Sequence, residues 1–410
     1  MSLLPSLRTP EVAPSIAAPP AATSIAAAPS TRRGARAERA GLWSAAWPVG
    51  VYLCSRLLVL GLAIGVTVVG HRSLATALTG FDGRWYLRLV AHGYPRRPLR
   101  IQSTLGFLPA YPLAIRFMSW TTGASAPLAA LLVSFLGGAA TAVLVERLAG
   151  RWWGAAVGRR AVVLVCLFPG SIVFSLAYPE GLTIPLAVAC LLALSDRRFV
   201  LAGALAGLAT AVEPVALVLI PVCGAAAVTE IRRHGWGDPL ARRSLWAPLL
   251  APVGIGAFGV FLWIWTGTPL ATYLAQHYGW HNQTEPLAIL ALPIVHRLAR
   301  TPHLLVTGLL QWNLWNGVLG GVFLVTSLVT LRRVRSELSP GGLALPLGCV
   351  FLSLLSVMTP PNARIALVAF PAVLVWARRR SGAPFARFVV VEAALLVGTA
   401  VLTLSGHMLP

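Results

Sequence analysis

The chain contains no lysine, and it sets only 12 acidic residues against 33 basic ones, all of them arginine. Charged residues fill 11% of its 410 positions and hydrophobic ones 57%, with a mean hydropathy of +0.76. A water-soluble fold cannot hide that much apolar surface, so lipid is the expected solvent for most of the chain. The five cysteines, Cys54, Cys166, Cys190, Cys223 and Cys349, all fall inside apolar runs without CxxC or metal-ligand spacing. They read as small buried hydrophobes. No DxD pair, glycine-rich phosphate loop or Walker motif is present, which argues against a nucleotide-sugar donor held through a metal. A net charge of +21 would suggest nucleic acid in a soluble protein. Here the arginines sit in short loops between apolar runs and act as topology signals, so no nucleic-acid partner is expected.

What the sequence does contain is a series of membrane-length or nearly membrane-length runs. They lie near 47–70, 125–146, 161–177, 181–195, 199–212, 214–229, 245–266, 304–330, 341–358, 365–377 and 388–406. This predicts an all-α polytopic membrane protein with about eleven spans, although several runs fall short of the ~20 residues of a straight spanning helix. Residues 1–42 are rich in Ala, Pro, Ser and Thr and have no apolar core before a cleavage site. They are expected to form a disordered cytoplasmic tail ahead of a transmembrane domain over 43–410. The arginine-only basic set and the alanine excess fit GC-rich coding and hence a bacterial plasma membrane.

Arginine-rich segments occur in the tail and at 147–160, 197–198, 232–243, 332–335 and 378–387, together holding 22 of the 33 arginines. If each is cytoplasmic, 161–195, 199–229, 245–330 and 341–377 must each be a hairpin. Asp82, Glu180, Glu213, His277, His281, Glu285 and Arg364 then all face outward, which predicts an extracytoplasmic site. The first outer loop, 71–124, breaks the positive-inside rule with Arg72, Arg84, Arg88, Arg96, Arg97, Arg100 and Arg116. Seven exceptions in one segment suggest an anionic partner such as a phosphate; contact with anionic lipid headgroups is the alternative. Within that loop, Asp82 to Gly93 reads as an amphipathic interfacial helix, with Phe81, Trp85 and Leu89 on one face and Arg84, Arg88 and His92 on another. Asp82 reads from these residues alone as its N-cap. His277 and His281 stand four apart with no third ligand evident, so no metal is expected there. Arg56, inside the first run, should face the bundle, and Trp312 and Trp315 read as interfacial belt.

"FDGRWYLRLVAHGYP" followed by "LGFLPAYPLAIR" resembles the first-loop signature of the PIG-V-type mannosyltransferases, the family of the second GPI mannosyltransferase. "LFPGSIVFSLAYPEGLTIPL", "AGALAGLATAVEP", "TGTPLATYLAQHYGW" and "PPNARIALVAFPAVL" match that family in order across most of 45–380. The resemblance implies an integral-membrane GT-C glycosyltransferase with Asp82 as the catalytic base and with Tyr178 and Glu180 shaping the site. Glu213, Gln276, Trp280 and His281 are further candidates for sugar or acceptor, and Arg364 for the donor phosphate. This chain departs from the pattern at Glu213, where a basic residue is expected, and at Ile365, where Tyr is usual after the arginine.

The chemistry implied is coherent. An inverting displacement at a lipid-phosphate sugar needs one carboxylate to take the acceptor proton and cations to receive the departing phosphate. Asp82 with Arg84, Arg88 and Arg364 supplies that set, without a cofactor or metal. The expected partners are a polyprenyl-phosphate sugar donor, most simply mannose, a lipid or glycolipid acceptor, and membrane lipids. A transporter or flippase of a lipid-linked sugar is the rival reading. It would favour two related halves, and the first-loop motif is not repeated in the second half.

Overall fold

The computed structural model describes residues 31–282, 312–355 and 362–410, with side chains for 46–282, 316–353 and 362–410. The chain divides into Met1–Trp43 and Ser44–Pro410, and everything below concerns the second unit. Of the expected tail, residues 1–30 lie outside the described residues, as do Glu285 and the side chains of Trp312 and Trp315.

Among the described residues the fold is all helix. The elements used here are α1 (Thr31–Val69), α2 (Asp82–His92), α3 (Ala110–Thr122), α4 (Ala126–Trp153), α5 (Ala155–Leu167), α6 (Glu180–Ser195) and α7 (Phe199–Thr210). They continue with α8 (Leu219–His234), α9 (Val253–Thr266), α10 (Trp312–Val334), α11 (Pro340–Leu355), α12 (Ala363–Val368), α13 (Pro371–Arg379) and α14 (Gly382–Leu404). Six described helical stretches are long and apolar enough to cross a membrane, or seven if the pair Ala155–Leu167 and Pro169–Ser175 counts as one broken span. Glu180–Ser195, Phe199–Thr210 and Pro340–Ser353 are shorter apolar helices. The described apolar runs do become helices, but length alone does not give the eleven spans expected. Glycine, proline and short turns divide the later runs instead. The run at 365–377, for example, becomes α12 and α13, separated at Ala369-Phe370 and followed by Pro371.

Neighbouring helices pack in sequence order, α4 on α5 and α6, and α6 on α7. Lipid gives helices little hydrophobic reason to associate, so close approach of small residues matters more than in water. A Cβ at Gly137 in α4 would run into the carbonyl oxygen of Gly181 in α6, so these two backbones meet only because both positions are glycine.

The ends of the helices separate two kinds of charge. α6 begins at Glu180 and ends beside Asp196, so those residues mark opposite ends of the bundle. At the Asp196 end, Arg151 pairs with Asp196, Arg197 with Glu230, and Arg378 with Glu337. Arg160 and Arg379 donate to the carbonyls of Ala377 and Arg333. These exposed pairs contribute little energy, but they bring four of the expected cytoplasmic segments together. At the other end lie the residues of the candidate site.

Between the two ends, the span that starts at α5 turns by 75° into the 3₁₀ segment Pro169–Ser175. Arg56 of α1, only 4% exposed, supports that bend. Its Nη1 donates to Ser171 O at 2.6 Å and to Ser175 Oγ at 3.1 Å. Its Nη2 donates to Cys166 O at 3.1 Å and to Ser171 Oγ at 3.0 Å. A guanidinium with several fixed donors can satisfy the carbonyls that a broken helix leaves free in an apolar interior.

Candidate active site

The loop helix α2 is anchored at its start. Phe81, the residue before it, has φ +53°, a conformation that costs a bulky residue on the order of 1–3 kcal/mol. It makes no side-chain cap. Asp82 is the first helical residue, not the N-cap its residue type suggested, and its carboxylate turns away from the helix's own amides. Its backbone N–H donates to Tyr178 Oη at 3.3 Å, while Ala177 N–H donates to Leu78 O at 3.0 Å just behind. The loop over 71–124 is thereby tied to the Tyr178-Pro179-Glu180 turn.

That turn is fixed in its own right. Ser134 Oγ of α4 donates to Tyr178 O at 3.0 Å, and it also stands 3.0 Å from Tyr111 Oη of α3. Glu180 opens α6, where a carboxylate is favoured by the helix dipole. It is only 2% exposed.

Arg364 closes the cluster. Its helix, α12, is capped by Asn362 Oδ1 accepting from Ile365 N–H at 2.9 Å, and Ala363 N–H donates to Asn316 Oδ1 of α10 at 3.3 Å. From behind, the 3₁₀ segment presses so closely that a Cβ at Gly170 would collide with Ala363 O. So held, Arg364 puts Nη1 3.2 Å from Asp82 Oδ2 and Nε 3.1 Å from Glu180 Oε1. Its guanidinium carbon lies 5.3 Å above the Tyr178 ring. The Nε contact with Glu180 is an ion pair by distance without hydrogen-bond alignment, since neither Arg364 Nε nor Glu180 Oε2 has a hydrogen-bond partner. Glu213 lies within electrostatic reach of Glu180, Arg364 and Asp82, with the Thr183 hydroxyl beside it. Three carboxylates therefore gather round one guanidinium. Among the described residues Asp82 Oδ1 takes no hydrogen bond, and the Asp82 side chain is 38% exposed.

The structure thus brings Asp82, Tyr178, Glu180, Glu213 and Arg364 together from four chain segments. The other expected site residues sit elsewhere. Arg84 is exposed and makes no hydrogen bond or ion pair among the described residues, and Arg88 is exposed with its guanidinium 5.0 Å over the Trp85 ring. Neither touches the cluster.

Gln276 and Trp280 direct their polar atoms at the first outer loop. Gln276 Nε2 donates to Gly106 O at 2.8 Å, and Trp280 Nε1 donates to Ser103 O at 3.3 Å. The Trp280 ring meets Trp85 edge-on at 4.9 Å. His281 is exposed, and His277 stacks on Tyr273. Nearby, Tyr94, whose phenol burial pushes up from its ordinary value, donates to Phe107 O at 2.9 Å. Ser134, Asn316, Asn362 and Gly170 support the cluster and were not singled out from sequence. Only Asn362, in a Pro-Pro-Asn before a helix, carried a local signal, that of an N-cap.

Beside the cluster runs an apolar groove of about 510 Å³, lined by Ala110, Met118, Gly137, Leu182, Leu186 and Val212 among others.

No protein-family model matches the chain, and no curated protein does. Among solved structures, the Archaeoglobus fulgidus oligosaccharyltransferase in its apo form is similar at 13% identity and a TM-score of 0.47. That similarity covers 88% of this chain but 56% of the oligosaccharyltransferase, so this chain spans little more than half of its length. At that level the likeness assigns neither family nor substrate.

Proposed function

We propose that the chain is a GT-C-type glycosyltransferase of the bacterial plasma membrane. It moves a hexose, mannose in the simplest case, from a polyprenyl phosphate to a lipid or glycolipid acceptor on the extracytoplasmic face. The observation that carries this reading is the Asp82–Arg364–Glu180 cluster, with Tyr178 beneath it, at the end of the bundle away from most of the arginines.

Asp82 Oδ1 has no hydrogen-bond partner among the described residues and its side chain is partly open, as a base must be, while Arg364 holds Oδ2 and fixes the carboxylate's aim. The acceptor hydroxyl loses its proton to Asp82 as its oxygen bonds to the anomeric carbon. The bond from that carbon to the phosphate oxygen breaks on the opposite face, which inverts the centre and releases polyprenyl phosphate. Positive charge develops on the sugar ring as that bond breaks, and the nearby Asp82 carboxylate favours it electrostatically. Tyr178 Oη accepts from Asp82 N–H and keeps its own proton to donate to a sugar or acceptor oxygen. The apolar groove suits an isoprenoid tail, and Arg84 and Arg88 on α2 are the cations left free for the phosphate.

The test is purified protein in liposomes with a radiolabelled polyprenyl-phosphate mannose, bacterial lipid extract and excess chelator. Label should pass to a glycolipid, with the chelator without effect. Label that only crosses the bilayer, with no new product from any polyprenyl-phosphate hexose, would mark a flippase instead.

A further inference from the structure

Three acids share one cation in the cluster: Asp82, Glu180 and Glu213 all lie within reach of Arg364. With every group ionised, the cluster would carry a net charge of two negatives. Like charges held close in a medium of low dielectric do not all ionise, and a proton on one acid relieves the others.

The geometry says which acid takes that proton. Asp82 has Arg364 Nη1 at 3.2 Å and a side chain 38% exposed, so a cation and water both support its charge. Glu180 has Arg364 Nε at 3.1 Å and lies in the first turn of α6, where the helix dipole favours a carboxylate. Glu213 has neither support. It forms no ion pair among the described residues. It makes no side-chain cap on the 3₁₀ segment Pro214–Val218 that follows it, and its Oε1 is closed off from solvent.

The groups facing Glu213 come from four helices. They are Asp82 and Tyr86 of α2, Glu180 and Thr183 of α6, Cys349 of α11 and Arg364 of α12. Arg364 is the one cation among them, and it is already shared between the other two acids. Glu213 lies in the turn ahead of the span that opens at Pro214. Burial, and after it the Glu180 carboxylate, push its carboxyl well above the ordinary value.

We infer that Glu213 keeps a proton and acts as a positioning residue, leaving Arg364 to Asp82 and so preserving the aim of the base. An ionised Glu213 would compete for the same guanidinium and loosen its hold on Asp82 Oδ2. The charge state follows from the cluster itself, whereas the positioning role rests on the transferase reading proposed above.

Infrared difference spectra of the full chain in detergent at neutral pH read the proton directly, through the carbonyl stretch of a protonated carboxyl, which a carboxylate lacks. Wild type minus Glu213→Gln should contain that band. Thr183→Val keeps the neighbouring shape without its hydroxyl and should shift the band, which keeps the test open if Glu213→Gln does not fold. Absence of the band from both differences would overturn the inference.

Stability gives an independent reading. Above the ordinary carboxylate value, folding binds a proton that the unfolded chain has lost, so stability falls as pH rises from there. The unfolding midpoint should decline with pH more steeply in wild type than in Glu213→Gln, and parallel declines would overturn the charge state. In transfer assays the alkaline fall in rate should come at higher pH in Glu213→Gln than in wild type. An identical alkaline limb would overturn the positioning role. The band and the steeper decline without sugar transfer from any donor would leave the proton in place and count against the transferase alone.

Discussion

Arg364 and Asp82 stand 282 residues apart in the chain and meet through a 3.2 Å contact between Nη1 and Oδ2. The same guanidinium places Nε 3.1 Å from Glu180, whose side chain is 3% exposed. One residue of a short late helix therefore joins the start of α2 to the start of α6, and the cluster forms only when these segments close on one another.

Removing one partner of a buried ion pair leaves the other charge unpaired, at about 3–5 kcal/mol, whereas replacing both by apolar groups is often neutral. Arg364→Met should therefore lower the unfolding midpoint in detergent markedly, and Arg364→Met with Glu180→Met should recover most of the loss. A double variant as unstable as the sum of the two single ones would mean that the pair is not coupled.

Gly170 is required by close approach. Gly170→Ala drives a methyl into Ala363 O next to Arg364, and overpacking of this kind costs roughly 1–3 kcal/mol. It should reduce transfer and stability together. Gly61→Ala, which meets nothing within 4 Å, should leave both unchanged. Equal behaviour of the two variants would remove the 3₁₀ segment from the account.

Arg56 has no acid partner among the described residues, yet it supplies hydrogen bonds to Cys166 O and Ser171 O. Arg56→Met removes the charged donor from Ser171 O and leaves Cys166 O only the Ser171 hydroxyl at 2.9 Å, at a cost of about 1–3 kcal/mol. The expected result is low yield of folded protein by size-exclusion chromatography, partly restored in Arg56→Lys. Wild-type yield from Arg56→Met would show that the bend stands without it.

Much of this was legible in the sequence, and the limit is physical. Spanning segments must be apolar along their length, so the described runs could be read directly. The parity argument from arginine-rich loops then grouped Asp82, Glu180, Glu213 and Arg364 at one end, where the structure also gathers them. Pairing across hundreds of residues leaves no local trace, so the Asp82–Arg364 contact, Asn316 behind Ala363 and Ser134 under Tyr178 could not be foreseen. Local propensity also misled. Aspartate at a helix start reads as a cap, but Phe81 takes that place and Asp82 answers to a tertiary cation. Gln276 and Trp280 carried sugar-binding residue types, and their polar atoms go to the loop backbone at Gly106 and Ser103.

The proposed orientation in the membrane rests on where the arginines lie. In intact cells, a membrane-impermeant thiol reagent should modify Gln102→Cys, an exposed position of the first outer loop, and miss Ser336→Cys, an exposed position between α10 and α11. The reverse pattern would put the cluster on the cytoplasmic side.

The central claim is that Asp82 is a base, and Asp82→Asn tests it most directly. The amide oxygen can still accept from Arg364, and the backbone N–H to Tyr178 is untouched, so the fold should survive. An amide cannot take the acceptor proton, and general-base assistance is worth on the order of 10²–10⁴ in rate. Initial rates of mannose transfer from polyprenyl phosphate, measured side by side on purified wild-type and Asp82→Asn protein of equal prenyl-phosphate affinity, should differ by that factor. Transfer by Asp82→Asn at the wild-type rate would contradict the account.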